Sequence, residues 1–401
     1  MLRMAENPWL TIVGLGEDGP DGLAPASRAA LERADVVIGA ARHLALLPDL
    51  TAETVVWPVP FAEGLPRLLA LRGRRVVMLA SGDPFWFGAG TSVAKMVSRG
   101  EWVALPGVSV FSLAASRMGW ALEEVTCLGL HAAPLTRLRP HLAAGARIIV
   151  LLRDGAAVAD LAGWLASEGF GATRMTVLEA LGGPRERVRH TTAQNFTVTD
   201  VAHPVAVALE PAGGRALPRT SGLEDDWFDH DGQITKRPVR ALTLSALMPR
   251  PGEVLWDIGG GSGSVGIEWM LAHPTCRCIA IEADAGRAAR LAANAVRLGV
   301  DRLTVIEGRA PEALEGLPTP HAVFVGGGAS ENLFNVLWDI LPVGCRLVCN
   351  AVTLESEALL ASWHARAGGS LLRIELAEAG PLGGRRGWKS AYPVVQWSIL
   401  R

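Results

Sequence analysis

Short apolar runs alternate along the chain with stretches in which apolar side chains recur every three or four residues. The runs at Trp9–Val13, Val36–Ile38, Thr54–Trp57, Val76–Ala80 and Trp102–Leu105 predict strands, and Ala24–Arg33 and Thr91–Ser98 between them predict amphipathic helices. Such alternation predicts a mostly parallel sheet covered by helices. A second set of runs follows at Val125–Leu128, Arg147–Leu152, Arg174–Glu179, Arg187–Thr191 and Val205–Leu209. Little Gly/Pro punctuation separates the two sets, which predicts two lobes packed together. A third series is more regular, with strands at Val254–Asp257, Cys278–Glu282, Leu303–Glu307, Ala322–Val325 and Arg346–Asn350. Helical patterns at Ser264–Leu271, Ala285–Leu298, Glu331–Leu337 and Leu354–Ala367 lie between or after them. The last two runs, Leu371–Leu376 and Val394–Ile399, have no helix between them and predict an antiparallel end to a parallel sheet.

Apolar periodicity gives way to Gly, Pro, Ser and acidic residues in Pro211–Gly232. The expected organisation is an N-terminal domain over 1–212, with lobes at about 1–120 and 121–212, a linker over 213–232 and a C-terminal domain over 233–401. The chain has 401 residues, 49% of them hydrophobic and 19% charged, which excludes a disordered or fibrous protein. No apolar run is long enough for a membrane helix, and Glu6, Asn7 and Pro8 stand where a signal peptide needs an apolar stretch. These features predict a cytoplasmic protein without membrane contact. The net charge of −2 lacks the basic surplus of a nucleic-acid binder. Cys127, Cys276, Cys278, Cys345 and Cys349 form neither a pairing framework nor a metal-ligand spacing, so no metal site is expected. Only Lys95, Lys236 and Lys389 are lysine among 38 cationic residues. Coding bias explains that, and so does a ligand rich in carboxylates, which arginine grips in a bidentate fork.

The strongest local signal is Val254-Leu-Trp-Asp-Ile-Gly-Gly-Gly-Ser-Gly-Ser264, a strand, a glycine loop and a helix start. Glycines let the chain turn tightly and let a ligand approach the backbone. Glu282 closes the next strand, where a carboxylate can accept both hydroxyls of a ribose. Gly261-Ser-Gly-Ser-Val-Gly266 also fits the dinucleotide pattern G-x-G-x-x-G, but Asp257 ahead of the glycines suits a cationic ligand better than a pyrophosphate. The arrangement resembles motif I of class I S-adenosylmethionine-dependent methyltransferases. Glu307-Gly-Arg-Ala310 follows the next strand, where that family covers the adenine. The fourth strand ends Val325-Gly-Gly-Gly-Ala329 and lacks the (N/D)-P-P-(Y/F) motif of enzymes that methylate base amino groups.

Ile12-Val-Gly-Leu-Gly-Glu-Asp-Gly19 is a second strand and glycine turn, ambiguous alone. It is followed by Leu79-Ala-Ser-Gly-Asp-Pro-Phe-Trp-Phe-Gly88 and by Leu105-Pro-Gly-Val-Ser-Val-Phe111. V-G-L-G, S-G-D-P and P-G-V-S in this order resemble the tetrapyrrole methylases, class III S-adenosylmethionine enzymes with two α/β lobes and a cofactor in the cleft between them.

The expected fold is therefore α/β, with a two-lobed class III tetrapyrrole methylase followed by a Rossmann-like class I methyltransferase. A class III half joined to a class I half resembles the decarboxylating C-methyltransferases of cobalamin synthesis. Ile234-Thr-Lys-Arg-Pro-Val-Arg-Ala241, Phe324-Val-Gly-Gly-Gly328 and Asn350-Ala-Val-Thr-Leu-Glu-Ser356 also match, so the resemblance runs from Trp9 to Ile399. It implies methylation of carbons 5 and 15 of a tetrapyrrole and loss of the carbon 12 acetate carboxyl, with the class I half acting at carbon 15 and the class III half at carbon 5. It also implies S-adenosyl-L-methionine as cofactor and a homo-oligomer, a tetramer being one form. The implied cofactor residues are Gly14, Gly16, Ser81, Gly82, Asp83 and Ser109 in the first half. In the second they are Thr235, Gly259, Gly260, Gly261, Ser262, Gly263, Glu282 and Ala310.

No catalytic residue is assigned. The candidates are His131, in Leu130-His-Ala-Ala133 where the family continues L-H-G-R, and Glu355 after the fifth strand. A satisfied histidine and a helix-N-terminal carboxylate are the plainer readings of these two. Arg385, Arg386 and Trp388 form a possible rim for a flat anionic ligand, or a solvated basic loop. Two other function classes remain open from sequence: a dinucleotide oxidoreductase with two Rossmann-like halves, and a protein that holds tetrapyrroles without chemistry.

Overall fold

The computed structural model describes residues 8–401, and the stretch through Asn7 that was read against a signal peptide lies outside them. Two compact units divide the chain. The first runs to Leu135 and resumes at His141–Arg215; the second comprises Thr136–Pro140 and Ala216–Arg401.

The first unit contains two sheets. In one, β1 (Leu10–Leu15), β2 (Val36–Gly39), β3 (Glu53–Val56), β4 (Val76–Ser81) and β5 (Trp102–Leu105) lie in the order β3-β2-β4-β1-β5. Every pairing is parallel. Alternate side chains serve two cores: Leu10, Ile12, Val36, Ile38, Val76 and Met78 point to one, Val13, Leu15, Val37, Val77 and Leu79 to the other. Burial on both faces is what a parallel sheet flanked by helices requires.

The second sheet holds β6 (Val125–Gly129), β7 (Arg147–Leu152), β8 (Arg174–Glu179), β9 (Arg187–Thr192) and β10 (Val205–Glu210), in the order β6-β7-β10-β8-β9. Only β6 and β7 are parallel; the other three pairings are antiparallel. The parallel pattern of the first lobe does not extend to this one. β8 and β9 are joined by a short turn, and a connection of that length only allows an antiparallel hairpin.

The second unit has one seven-stranded sheet: β11 (Val254–Ile258), β12 (Arg277–Glu282), β13 (Thr304–Glu307), β14 (Ala322–Val325), β15 (Arg346–Ala351), β16 (Ser370–Ile374) and, after a separate hairpin of β17 (Ala377–Leu382) and β18 (Arg385–Ser390), β19 (Val394–Leu400). The order is β13-β12-β11-β14-β15-β19-β16, with β19 antiparallel to both neighbours, as the missing helix predicts. One face packs Leu255, Ala280 and Phe324 on Trp269 and Leu291. The other packs Trp256, Ile258 and Val325 beside a cluster of Phe334, Trp363 and Trp397 whose ring centroids lie 5.5–6.1 Å apart.

The stretch expected as a linker is largely part of this unit. Leu217, Leu223, Trp227 and Phe228 are buried in the same core as Trp269. Arg240, wholly buried, donates to Glu268 Oε1 (2.6 Å) and Asp225 Oδ1 (3.1 Å), and Glu268 accepts from the N–H groups of Gly222 (2.6 Å) and Leu223 (2.9 Å). A buried ion pair is tolerated only when its remaining hydrogen-bonding groups are satisfied, and the polar segment satisfies them. Its low apolar content therefore marks an ordered strap.

Candidate active sites

In the first unit the three glycine motifs meet at the carboxyl ends of β1 and β4. Gly82 N–H donates to the Leu15 carbonyl and Gly107 N–H to the Gly82 carbonyl, each at 3.0 Å. A Cβ on Gly14 would lie 1.9 Å from Gly82 O and 2.3 Å from Gly107 N. Gly82 has φ +50°, in the left-handed region that favours glycine. The glycines thus let three loops touch backbone to backbone, and Gly14 packs behind the site.

These loops form one wall of a cavity of about 490 Å³. Gly16, Ser81, Gly82, Asp83 and Ser109 line it, as does His131, whose side chain is exposed. Ser109 is also committed locally, since its Oγ caps the following helix by accepting from Ser112 N–H at 3.1 Å. Asp83 Oδ1 accepts from Phe85 N–H at 2.8 Å. Trp57, Phe61, Trp86, Phe87 and Phe111 supply aromatic walls. A polar cluster that sequence reasoning did not single out also faces the cavity. Glu17, 8% exposed, binds Arg42 with one oxygen and Arg185 with the other (2.9 Å), and Arg42 and His43 both reach Ser81 Oγ. Burial, aided by Arg42 and His203, pushes the His43 imidazole down to about 3, so it is neutral at physiological pH. The findable signal was position: Arg42 and His43 follow the carboxyl end of a parallel strand, where ligands of such sheets lie.

In the second unit the loop after β11 is held by its own backbone. Gly259, Gly261 and Gly263 have φ of +73°, +56° and +77°. Gly259 and Gly260 N–H both donate to the Ile281 carbonyl, at 2.9 and 3.1 Å. A Cβ on Gly259 would lie 2.7 Å from Gly327 N, so the loop after β14 requires glycine at 259. On Gly261 the nearest atoms, Gln233 O and Gly259 O, would be 3.9 Å away, an ordinary contact, so its left-handed φ and not crowding favours glycine there. Glu282 bridges the loop to the next helix: its Oε2 accepts from Gly261 N–H (2.8 Å) and its Oε1 from Asp284 N–H (2.9 Å). The buried Asn294 amide donates to the carbonyls of Ser262 and Asp229, both at 2.9 Å, tying loop to strap.

Asp257 is 1% exposed and accepts from Gly266 N–H at 3.0 Å. Its other oxygen, and the Ser262 hydroxyl, have no hydrogen-bond partner among the described residues. Burial, with Glu282 nearby, pushes the Asp257 carboxyl up to about 7 against the Gly266 hydrogen bond. It lies beneath the loop, tied to the helix start, so its immediate role is to hold the turn. Ala310 packs beside the β11–β14 core, and the Thr235 carbonyl accepts a hydrogen bond from Arg240.

Residues 9–197 match the family described as Tetrapyrrole (Corrin/Porphyrin) Methylases, and residues 226–401 match the Precorrin methyltransferase domain. A Precorrin-6Y C(5,15)-methyltransferase [decarboxylating] from Sinorhizobium sp is 53% identical over 98% of this chain and 96% of its own length. The chain belongs to the precorrin-6Y C(5,15)-methyltransferase (decarboxylating) family. The relative of the same name from Mycobacterium tuberculosis (strain ATCC 25618 / H37Rv) is 40% identical over 98% of this chain and all of its own. A Probable cobalt-precorrin-6B C(15)-methyltransferase (decarboxylating) from Pyrobaculum aerophilum is 34% identical over 42% of this chain and 87% of its own. Among solved structures, the C-terminal domain of precorrin-6Y C5,15-methyltransferase from Rhodobacter capsulatus is 53% identical, covering 46% of this chain and 100% of its own at a TM-score of 0.45.

Membership of this family sets aside the oxidoreductase reading. Other sequence candidates lie on elements outside the glycine loops. Glu355 is exposed in the first turn of the helix Leu354–Ala367, whose cap is Thr353. Arg385, Arg386 and Trp388 lie on β18 of the separate hairpin, with Trp388 78% exposed. Among the described residues no cluster of three or more His, Cys, Asp or Glu side chains is placed to hold a metal, and no helix is long and apolar enough to cross a membrane.

Proposed function

We propose that this chain methylates precorrin-6Y at carbons 5 and 15 with S-adenosyl-L-methionine and removes the carbon 12 acetate carboxyl as carbon dioxide, giving precorrin-8. The single observation that carries this reading is the 53% identity over 98% of the chain to the Sinorhizobium relative of that name. The first domain acts at carbon 5; the second acts at carbon 15 and decarboxylates. That division is supported by relatives named for carbon 15 and decarboxylation, which match only 34–42% of this chain.

The residues present fit two cofactor sites. In the second domain the fit rests on the glycine loop, where a Cβ on Gly261 would meet nothing closer than 3.9 Å, and on Asp257 Oδ1 and Ser262 Oγ beneath it, which have no hydrogen-bond partner among the described residues. Gly259–Gly263, Glu282, Thr235 and Ala310 would hold the cofactor there, with Glu282 accepting from the ribose. In the first domain the cavity would hold it, with Gly16, Ser81, Gly82, Asp83 and Ser109 on its wall. S-adenosylmethionine supplies a methyl group already activated by its sulfonium charge. The protein's task is then to align that methyl with a nucleophilic macrocycle carbon and to exclude water. The conjugated macrocycle is itself the electron sink for decarboxylation. The five free cysteines suit a reducing cytoplasm. Exposed Leu382, Trp388 and Tyr392 at the β17–β18 hairpin support self-association, with a tetramer as one form. Sedimentation at micromolar concentration tests this, and a clean monomer refutes it.

The testing experiment is mass spectrometry of precorrin-6Y after incubation with the full chain and cofactor. The expected product has two added methyl groups and has lost one carbon dioxide. A product with one methyl, or with both methyls and an intact acetate, contradicts the reading.

A further inference from the structure

We propose that Arg42 and His43 are positioning residues that fix the Ser81 hydroxyl as a one-way hydrogen-bond acceptor toward the first-domain cavity, so that the ligand there must present an N–H or O–H donor. The inference rests on reading this cavity as the site of carbon 5 methylation. Arg42 Nη2, Ser81 Oγ and His43 Nε2 form a nearly equilateral triangle with sides of 2.8, 2.9 and 2.9 Å. Arg42 Nη1 is taken by Glu17, so Nη2 is the nitrogen turned to Ser81. A guanidinium only donates. The tautomer with Nε2 unprotonated lets His43 Nε2 lie 2.9 Å from this donor without a clash of hydrogens, and it leaves the buried Nδ1–H with no partner among the described residues. The low affinity of His43 for a second proton keeps the ring neutral.

From Nη2, the two neighbours lie about 60° apart, whereas the two hydrogens on a planar guanidinium nitrogen diverge by about 120°. Arg42 can aim only one of them well. With Nε2 unprotonated, both bonds to Ser81 form when Arg42 donates to Ser81 Oγ and Ser81 donates its own hydrogen to His43 Nε2, the Nη2–Nε2 approach then being a close contact; an Nε2–H tautomer would instead leave the Ser81 hydrogen for the cavity. In the first arrangement the Ser81 hydrogen is spent inward, and its remaining lone pair faces the cavity that Ser81 lines. A carboxylate or carbonyl at this point would meet lone pair against lone pair. An ammonium, a hydroxyl or a pyrrole N–H would be accepted. Glu17 supplies the fixed end: it is buried, its oxygens are shared between Arg42 and Arg185, and it holds the guanidinium plane in place.

The test uses the full chain carrying Gly261→Arg, so that any cofactor-site binding reports the first domain. Into this background go Ser81→Ala, His43→Leu and His43→Gln, whose amide oxygen still accepts from Ser81. Calorimetry measures S-adenosylhomocysteine and 5′-methylthioadenosine, which lacks the ammonium; turnover measures KM and kcat for the tetrapyrrole at carbon 5. Ser81→Ala and His43→Leu should weaken one of these by about tenfold or more, and His43→Gln should restore it to within about threefold. Loss with S-adenosylhomocysteine alone places the donor on the ammonium, and loss with both nucleosides places it on the nucleoside. Loss confined to the tetrapyrrole KM places it on a macrocycle N–H. In addition, nitrogen NMR of the unliganded protein should show His43 protonated at Nδ1 alone from about pH 5 to 8. Unchanged affinities and KM in Ser81→Ala, a His43→Gln no better than His43→Leu, or an Nε2–H tautomer overturns the inference. If His43→Leu does not fold, Ser81→Ala and the ring signal decide. If the Gly261→Arg parent binds no nucleoside, the cavity reading fails while the tautomer result still stands or falls alone.

Discussion

Asp257 carries a measurable electrostatic consequence. In the unfolded chain its carboxyl titrates near 3.8, and in the folded protein burial raises it to about 7. Between those values the native state holds a proton that the unfolded state has released, so stability falls as pH rises through the window. Asp257→Asn keeps an acceptor for Gly266 N–H and removes the titration. Urea unfolding of the second unit should show wild type losing a few kcal/mol more than Asp257→Asn between about pH 4 and 7, about 4 kcal/mol at most. Parallel pH profiles would remove Asp257 from the account. Glu282→Ala deletes the acceptor for Gly261 and Asp284 N–H as well as the proposed ribose contact. Cofactor affinity in the second domain should fall by about tenfold to several hundredfold. A lower melting temperature with unchanged affinity would leave Glu282 as a cap alone. Residues inside motifs were legible in sequence because glycine and a strand-end carboxylate leave a local signature. Arg42 and His43 were not, because their meeting with Ser81 depends on β2 lying beside β4, a matter of strand order.

At the scale of elements, the motif glycines do two different jobs that spacing alone does not separate. A Cβ on Gly261 would meet nothing closer than 3.9 Å, whereas Gly14 is pinned between two neighbouring loops. Gly14→Ala should therefore push the V-G-L-G loop off Gly82 and Gly107, costing at least about 3 kcal/mol in the first unit. Carbon 5 methylation should drop with it while carbon 15 methylation persists, which isotope-labelled methyl transfer reads directly. Equal loss at both carbons would contradict two separate sites. Nearly every strand was visible as an apolar run, and the antiparallel ending of the last sheet followed from a missing helix. Strand direction in the second lobe was not visible. β7, β8 and β10 are buried on both faces, so their patterns resemble those of parallel strands. Only the pairing distinguishes them.

At the scale of the whole chain, composition marked where the two units divide but not that most of the polar stretch is ordered in the second unit. Residues 213–232 look like a linker because they are polar, yet Leu217, Leu223, Trp227 and Phe228 belong to the second core and Glu268 needs the N–H groups of Gly222 and Leu223. A C-terminal fragment beginning at Ala216 should be soluble, with sharp near-UV circular dichroism. One beginning at Gly232 should aggregate or lose that signal, since it leaves the buried Arg240–Glu268 pair without its strap. Equal behaviour of the two fragments would restore the linker reading. The central claim is that one chain carries two methylation sites of different construction. The most direct measurement is mass spectrometry of precorrin-6Y treated with methyl-labelled cofactor and either wild type or Gly261→Arg. The account predicts two labelled methyls and loss of carbon dioxide with wild type, and one labelled methyl with the acetate intact for Gly261→Arg. Two methyls from the variant, or none, would contradict it.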